Sequence, residues 1–286
     1  MLPNRGELDA TIDRALAEDS AGADVTTSAL IPSHLQARAT LVPKEAGVLA
    51  GLKVAAAVFR RVDPELVFVQ RLRDGDRVEG GEAVATISGS MASILTAERT
   101  ALNFLQRMSG IATLTRQYVE VVEGTTASIT DTRKTAPGLR LLDKYAVSIG
   151  GGRNHRMNLT DGVLIKDNHL AALQGEGISL SQAIKRARRR APHTIKIEVE
   201  VESVEAAVAA SSAGADIVML DNMSPHDMRI VVDQIGAGST VEASGGITLE
   251  NVADVANSGV DIISVGALTH SPRAMDISLD FESKNA

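Results

Sequence analysis

The sequence predicts an α/β protein in which a small α+β domain precedes a (β/α) barrel. Three observations support this prediction. The chain has 286 residues with 44% hydrophobic content, enough to bury a large core. In the first hundred or so residues, strand-like runs do not alternate regularly with helices. From about residue 111, short apolar runs alternate with longer helical stretches, which implies parallel strands joined by crossovers and, at this repeat number, a barrel.

We divide the chain into an N-terminal domain of residues 1–110, a barrel of residues 111–270 and a C-terminal tail of residues 271–286. The N-terminal domain opens with the amphipathic pattern of a helix. Strand candidates follow at residues 37–44, 47–51 and 66–90. A long helix is predicted over residues 93–110, where Ile94, Leu95, Leu102, Leu105 and Met108 fall near helical spacing.

Six strands are predicted for the barrel. They cover residues 127–130, 162–165, 195–201, 216–220, 240–244 and 261–265. Helices are predicted between them at residues 179–190, 203–214, 225–236 and 248–259. Because aromatic content is only 2%, Ala, Val, Leu and Ile must fill the core.

The composition excludes several classes of function. No cysteine is present, so disulfides, thiolate chemistry and zinc–cysteine sites are ruled out. The net charge of -7 disfavours nonspecific binding to nucleic acid or to anionic membranes. No segment reaches transmembrane length, and the first residues lack the apolar run of a signal peptide, so we expect a cytoplasmic protein.

Positive charge nevertheless gathers in the segment 131–169. Its basic residues are Arg133, Lys134, Arg140, Lys144, Arg153, Arg156 and Lys166. Such clustering in an acidic protein indicates an anionic small-molecule ligand, although Arg140 and Lys144 fit a solvated helix face equally well. The run KRARRR (185–190) is instead interpreted as a solvated helix end.

Polar residues follow or terminate every predicted barrel strand, where barrel enzymes place their active sites. In strand order they are Asp131 to Lys134, Lys166 to His169, Glu198 with Glu200, Asp221 with Asn222, Ser244 to Gly246, and Gly266 with Ala267. The two glycine-containing loops, Ser244 to Gly246 and Val265 to Ala267, are typical of a backbone phosphate cradle, although ordinary turns remain an alternative. Packing alone does not explain this pattern.

Acids beside an anionic ligand suggest a bound cation or ribose hydroxyls. Glu200 and Asp221 fit either role, with Mg²⁺ as the expected ion. Glu198, Glu200 and Glu202 share one face of their strand, and spacing alone leaves open which of them reaches the ligand. Upstream, three glycines precede His155 and Arg156, a pattern that favours a basic loop able to bind carboxylates or phosphates.

Together these motifs resemble the quinolinate phosphoribosyltransferase family, also called nicotinate-nucleotide pyrophosphorylase (carboxylating). The matching stretches are residues 18–27, 95–113, 131–156, 164–169, 198–201, 220–222, 243–247 and 265–271, in family order over nearly the whole chain. The resemblance implies a pentosyltransferase that joins quinolinate to 5-phosphoribosyl 1-pyrophosphate, releasing pyrophosphate and CO₂ and giving nicotinate mononucleotide. It also implies an incomplete (β/α) barrel and a homodimer, or a larger oligomer, with shared active sites.

The resemblance assigns roles residue by residue, with no substitution at the matched positions. The quinolinate carboxylates would meet Arg99, Arg133, Lys134, His155, Arg156 and Lys166. The phosphoribosyl group would use Lys134, Lys166, Glu200, Asp221, Ser244, Gly245, Gly246, Val265, Gly266 and Ala267, and Thr132 is a further implied substrate-binding residue. Lys134, Lys166, Glu200 and Asp221 are the implied catalytic residues. Glu200 and Asp221 would hold Mg²⁺ directly or through water and diphosphate.

Three other functions compete with this one. The chain could be a same-fold protein with another substrate, such as the relative encoded with molybdate transport, a phosphate-binding barrel isomerase or lyase, or a binding protein without activity. The arginine and lysine set argues against the first, since it matches two substrate carboxylates. Glu200 and Asp221, with their metal role, argue against the second. The intact acids and lysines argue against the third.

Overall fold

The computed structural model describes residues 4–282 and divides the chain into two compact units. The first comprises the described parts of Met1–Arg116, Thr135–Gly151 and Leu268–Ala286, and the second comprises Gln117–Lys134 and Gly152–Ala267. Two stretches of the predicted barrel region, Thr135–Gly151 and the residues from Leu268 onward, therefore belong to the first unit. Among the described residues, no helix is long and apolar enough to cross a membrane.

The elements of the first unit alternate less regularly than those of the second. In chain order they are α1 (Arg5–Glu18), α2 (Val25–Leu30), β1 (Gln36–Pro43), β2 (Gly47–Val48), α3 (Leu52–Val62), β3 (Val67–Gln70), β4 (Arg77–Val78), β5 (Ala85–Ser90) and α4 (Met91–Val121), the last of which ends in the second unit. Later segments add α5 (Arg140–Ile149), most of α11 (Ala267–His270) and β12 (Ile277–Phe281).

An antiparallel sheet of order β12-β1-β5-β3 forms the centre of the first unit. Helix α3 packs on it, and the rings of Phe59 and Phe68 lie 5.9 Å apart. The predicted tail is thus partly a strand: β12 pairs with β1, with Leu279 opposite Leu41. Its alternation of buried Ile277 and Leu279 with more exposed residues was too short to identify as a strand without a partner.

The predicted end of helix α4 at Gly110 is wrong, because the helix continues to Val121. Gly110 allows close packing, because a Cβ there would collide with the backbone carbonyl of Arg273. A glycine in a helix therefore marks a close approach here and not a helix end.

The second unit is the incomplete (β/α) barrel. Its strands are β6 (Ser128–Thr130), β7 (Val163–Ile165), β8 (Ile197–Val201), β9 (Ile217–Asp221), β10 (Thr240–Ser244) and β11 (Ile262–Ser264). Its remaining helices are α6 (Asp167–Gly175), α7 (Leu180–Arg190), α8 (Val204–Ser212), α9 (Pro225–Ile235) and α10 (Val252–Ala256). All six predicted strands are present within one or two residues of their predicted bounds.

The barrel strands form one parallel sheet of order β6-β11-β10-β9-β8-β7. The first strand, β6, pairs with the last, as in a closed barrel, but β6 and β7 lie at opposite edges of the sheet. The barrel is therefore open between its first two strands. Helices α7, α8 and α9 begin at the serine N-caps Ser179, Ser203 and Ser224, which explains why the sequence identified their starts well.

Candidate active site

Several of the predicted polar residues of the second unit lie at the carboxyl ends of the barrel strands. Lys166 follows β7 directly and its Nζ donates to Oε2 of Glu200 in β8 at 2.7 Å. Asp221 ends β9 and Ser244 ends β10, and these two residues are paired neighbours in the sheet. The structure thus brings Lys166 and Glu200 into contact and places Asp221 beside Ser244 at the same end of the strands.

The loop after β10 is built for close backbone approach. Gly245 and Gly246 have φ of 82° and 61°, in the left-handed region, as does Asn222 at 54°. A Cβ on Gly245 would lie 2.7 Å from Oδ1 of Asp221 and would also collide with Asn222. Asn222 in turn donates from Nδ2 to Oδ2 of Asp221 at 3.0 Å. Only glycine therefore fits beside the carboxylate of Asp221.

Basic residues follow β6. The backbone N–H of Lys134 donates to Oγ1 of Thr132 at 3.0 Å, and the side chain of Lys134 is exposed. Arg133 is half-buried, and its charge acts on Arg156. Burial lowers the pKa of Arg156 from its ordinary value, and the neighbouring charge of Arg133 lowers it further. Two guanidinium groups held close enough to repel each other favour binding of an anion between or beside them.

The segment from Gly152 to Gly162 lies along the open edge of the barrel at β6. The N–H of Arg153 donates to the carbonyl of Ile129 at 2.8 Å, and the N–H of Asp131 donates to the carbonyl of Arg153 at 3.2 Å. Arg153 thereby forms an isolated parallel bridge with Thr130. This segment supplies β6 with the backbone partner that a strand in a closed barrel would supply.

Asp131 anchors the same segment through its side chain. It is fully buried, and its carboxylate accepts from Nδ2 of Asn154 at 2.6 Å and from the N–H of His155 at 2.9 Å. The sequence predicts Asp131 among the ligand-binding residues at the strand ends. Its position instead gives it a structural role in holding the segment that carries His155 and Arg156.

The ring of His155 points into the barrel interior, against two glutamates. Its Nε2 lies 3.3 Å from Glu198 and 3.5 Å from Glu242. Both carboxylates are buried, Glu242 completely, and all three side chains line a cavity of about 280 Å³. Glu242 is not among the site residues predicted from the sequence. Strand alternation could have identified it, because Glu242 lies two residues before Ser244 on the same face of β10.

The protonation of His155 follows from these neighbours. Burial alone would lower its pKa, but the contacts with Glu198 and Glu242 outweigh burial and raise the pKa to about 10. Nδ1 accepts a hydrogen bond from the N–H of Arg156 at 2.9 Å, which favours the neutral ring and opposes that rise. In both states Nε2 carries a proton that faces the glutamates. Burial raises the pKa of Glu198.

Two groups of acids are candidates for holding a metal ion. Within residues 4–282, His155, Glu198 and Glu242 form the one cluster of three close ligating groups. The acids predicted for Mg²⁺, Glu200 and Asp221, lie outside it at the strand ends, where diphosphate and water would have to complete the coordination. Glu200 is partly exposed and shares the interior face with Glu198, whereas the third predicted acid on that face, Glu202, follows the strand and is exposed.

The other predicted residues are not part of the contacts described so far. Arg99 lies exposed on α4 in the first unit. Lys144 on α5 is fully buried, so the solvated-face interpretation is wrong for it, while half-buried Arg140 donates to Oγ1 of Thr135 at 3.1 Å. The basic end of α7 is exposed, which confirms the interpretation of the KRARRR run. Val265 is buried just beyond β11, and Gly266 and Ala267 follow it at the same end of the barrel.

This fold and site define a class of protein: an α/β barrel enzyme for an anionic, phosphate-bearing substrate. Residues 24–109 match the family model described as quinolinate phosphoribosyl transferase, N-terminal domain, and residues 111–280 match that of the C-terminal domain. The chain belongs to the quinolinate phosphoribosyltransferase family.

Relatives from several bacteria are similar over nearly their full length. The chain is 45% identical to the nicotinate-nucleotide pyrophosphorylase [carboxylating] of Mycobacterium leprae, covering 94% of this chain and 95% of that protein. It is 41% identical to the probable enzyme of that name from Bacillus subtilis, covering 99% and 96%. The crystal structure of NadC from Streptococcus pyogenes superposes with a TM-score of 0.93 at 43% identity, covering 99% and 100%. Both the fold and the family predicted from the sequence are confirmed.

Proposed function

We infer that this protein transfers the phosphoribosyl group of 5-phosphoribosyl 1-pyrophosphate to quinolinate with decarboxylation. The products are nicotinate mononucleotide, pyrophosphate and CO₂, in the biosynthesis of NAD. The observation that carries this inference is the meeting of two kinds of group at one end of the barrel. Cations that suit carboxylates and phosphates, such as Lys166, lie beside acids and a glycine loop that suit a phosphorylated sugar.

The quinolinate end of the site is assigned to the basic residues. Its carboxylates are bound by Arg133, Lys134, His155, Arg156 and Lys166, together with the partner's Arg99. Support comes from the positive charge of Arg133 near Arg156, which lowers the pKa of Arg156 and suits an anionic substrate. Since nicotinate lacks one of the two carboxylates, it would leave cations of this set without a counter-charge.

The phosphoribosyl end is assigned to the remaining strand ends. Thr132, Lys134, Lys166, Glu200, Asp221, Ser244, Gly245, Gly246, Val265, Gly266 and Ala267 form it. Gly245 and Gly246 support this assignment, because both have a left-handed backbone, and successive N–H groups of such a glycine loop can bind phosphate. Lys166 is assigned to both ends, and at the phosphoribosyl end its Nζ contacts Glu200.

The residues account for the chemistry in two steps. The pyridine nitrogen forms a bond to the anomeric carbon while the bond to pyrophosphate breaks, so positive charge grows on the sugar and negative charge on the leaving group. Lys134 and Lys166 stabilise the leaving group, and Glu200 or Asp221 stabilises the sugar. The ring nitrogen is then a pyridinium, whose positive charge stabilises the electron pair left on the adjacent ring carbon when CO₂ departs, and that carbon takes up a proton. The protein must chiefly hold the two substrates in line.

We also propose Mg²⁺ as the cofactor. The carboxylates of Glu200 and Asp221 are ligands of the type Mg²⁺ prefers, and both lie at the strand ends assigned to the diphosphate. The ion would neutralise charge on that diphosphate. Excess EDTA should abolish turnover and Mg²⁺ should restore it, whereas full activity in EDTA would remove the metal from the account.

Assembly and location complete the proposal. We propose a homodimer, or a larger oligomer, in which each active site takes Arg99 from the partner. We also propose a cytoplasmic location for a chain without cysteine.

The function is tested by incubating the purified protein with quinolinate, 5-phosphoribosyl 1-pyrophosphate and Mg²⁺ and measuring pyrophosphate. Release that requires quinolinate supports the proposal. No release with quinolinate, or equal release with another acceptor, favours the same-fold protein with a different substrate.

A further inference from the structure

Glu242 has no role in the reaction described above, yet its burial is unfavourable unless something compensates it. Its carboxylate is completely buried in the barrel interior, a layer that barrels ordinarily fill with branched apolar side chains. Neither of its oxygens accepts a hydrogen bond from any group among residues 4–282. Its ionic contact is with Nε2 of His155, at 3.5 Å. An acid retained at such a position requires a functional explanation.

A chain of contacts leads from Glu242 to the quinolinate end of the site. Glu198 and Glu242 contact Nε2 of His155 from β8 and β10, the two strands that flank β9. The other ring nitrogen, Nδ1, accepts from the backbone N–H of Arg156. The guanidinium of Arg156 donates to the carbonyl of Gly162 at 3.1 Å. The position of Arg156 therefore depends on the His155 ring, and the ring depends on the two glutamates.

The segment that carries Arg156 lies where the barrel is open, so it lacks the full backbone pairing of a strand. Its pairing to β6 is limited to Arg153, and Asp131 holds Asn154 and the N–H of His155. These bonds fix the backbone of the segment up to His155. The side chain of His155 then links the segment to β8 and β10 through its contacts with Glu198 and Glu242.

We propose that Glu242, with Glu198, is a positioning residue that acts through His155 to hold Arg156 at the quinolinate end of the site. This proposal rests on the function inferred above. Both ring nitrogens of His155 contact protein groups, so the contribution of His155 to quinolinate binding is to place Arg156. Glu242, Glu198 and His155 are not among the residues assigned to the phosphoribosyl end, so binding at that end should be unaffected.

The test compares Glu242→Gln and Glu198→Gln with the wild type, using Glu205→Gln, an exposed glutamate on α8, as the matched control. We expect the KM for quinolinate to rise about tenfold in either barrel variant, with the KM for 5-phosphoribosyl 1-pyrophosphate within about twofold of wild type. Equal increases in both constants would mean a merely structural role and would overturn the proposal. Glu198→Gln serves alone if Glu242→Gln does not fold.

A double-mutant cycle isolates the route through His155. In a His155→Ala background, Glu242→Gln should raise the KM for quinolinate by less than about twofold, because its partner is already gone. Independent, multiplying effects would contradict the proposal. So would stoichiometric Mn²⁺ binding to the wild type that Glu242→Gln removes, since the three side chains would then be metal ligands.

A third measurement is independent of turnover. In ¹⁵N-histidine spectra of the substrate-free protein, Glu242→Gln should shift the Nε2 resonance of His155, and Glu205→Gln should not. If the wild type fails to consume quinolinate, the inferred function fails, while this spectrum still tests the contact. If the wild type consumes quinolinate and the resonance does not move, the positioning proposal alone fails.

Discussion

Nζ of Lys166 lies 2.7 Å from Oε2 of Glu200, so the lysine that follows one barrel strand is paired with the acid near the end of the next. Nearly half of the Lys166 side chain is exposed, and such pairs contribute little to stability. We propose that the pair serves catalysis, in which Lys166 leaves Glu200 to meet the charge of the substrate.

Lys166→Met tests this role. We expect kcat/KM to fall by about 10²-fold or more, because the charge that stabilises the leaving group is lost, with little change in the midpoint of thermal unfolding. The control is Lys185→Met, an exposed lysine on α7. A loss of less than about threefold would show that Lys166 is not catalytic.

Gly245→Ala tests the phosphate loop. The new methyl group would strain the left-handed backbone and collide with Asp221 and Asn222, so we expect the KM for 5-phosphoribosyl 1-pyrophosphate to rise about tenfold or more. Gly214→Ala is the matched control, since Gly214 also has a positive φ, 92°, but a Cβ there meets nothing within 4 Å. If both variants behave alike, backbone strain explains the effect and the contacts beside Gly245 do not.

The contacts of His155 predict a pH dependence of stability. Its pKa in the folded protein is about 10, above the ordinary 6.5 that we take for the unfolded chain. Between these values the folded state binds more protons, so the contribution of His155 is fully present below about pH 6.5 and is lost as the pH rises to about 10. The difference in unfolding free energy between wild type and His155→Gln should therefore shrink over that range.

Urea unfolding between pH 6 and pH 10 measures this difference. The exposed His193 provides the control variant, His193→Gln, for which no such trend is expected. A constant difference for His155→Gln would mean that the hydrogen bond accepted by Nδ1 keeps the ring neutral throughout.

Complementation between chains tests the shared active site. Arg99→Ala and Lys134→Ala should each be inactive, but mixing them should form heterodimers with one intact site of two. Because random exchange makes half of the dimers mixed, about a quarter of wild-type activity should return. A mixture of Lys134→Ala with Lys166→Ala, both in the barrel, is the control and should stay inactive. Demonstrated exchange without recovered activity would contradict the shared site.

The sequence located the strand ends well because apolar strands end abruptly in polar residues there. Lys166, Asp221 and Ser244 all lie at the predicted end of the barrel for that reason. Other features depend on contacts distant in sequence. The strand β12 is recognisable through its pairing with β1, and the need for Gly110 through its closeness to Arg273.

The acids of the barrel interior show the same limit. Alternation leaves open whether Glu198 or Glu200 faces the ligand. In the structure, Glu198 lies deeper in the barrel and contacts His155, whereas Glu200 contacts Lys166. The partner of Glu198 is more than forty residues away, on a segment without regular structure. Periodicity carries no information about such a contact, whereas the register of the sheet fixes it.

The most direct test of the account follows the carboxyl group. Quinolinate labelled with ¹⁴C in the carboxyl group adjacent to the ring nitrogen is incubated with the protein, Mg²⁺ and 5-phosphoribosyl 1-pyrophosphate, and labelled CO₂ and pyrophosphate are both measured. The account predicts equal amounts of the two, with neither formed when either substrate is omitted. Pyrophosphate release without labelled CO₂, or without any need for quinolinate, would contradict it.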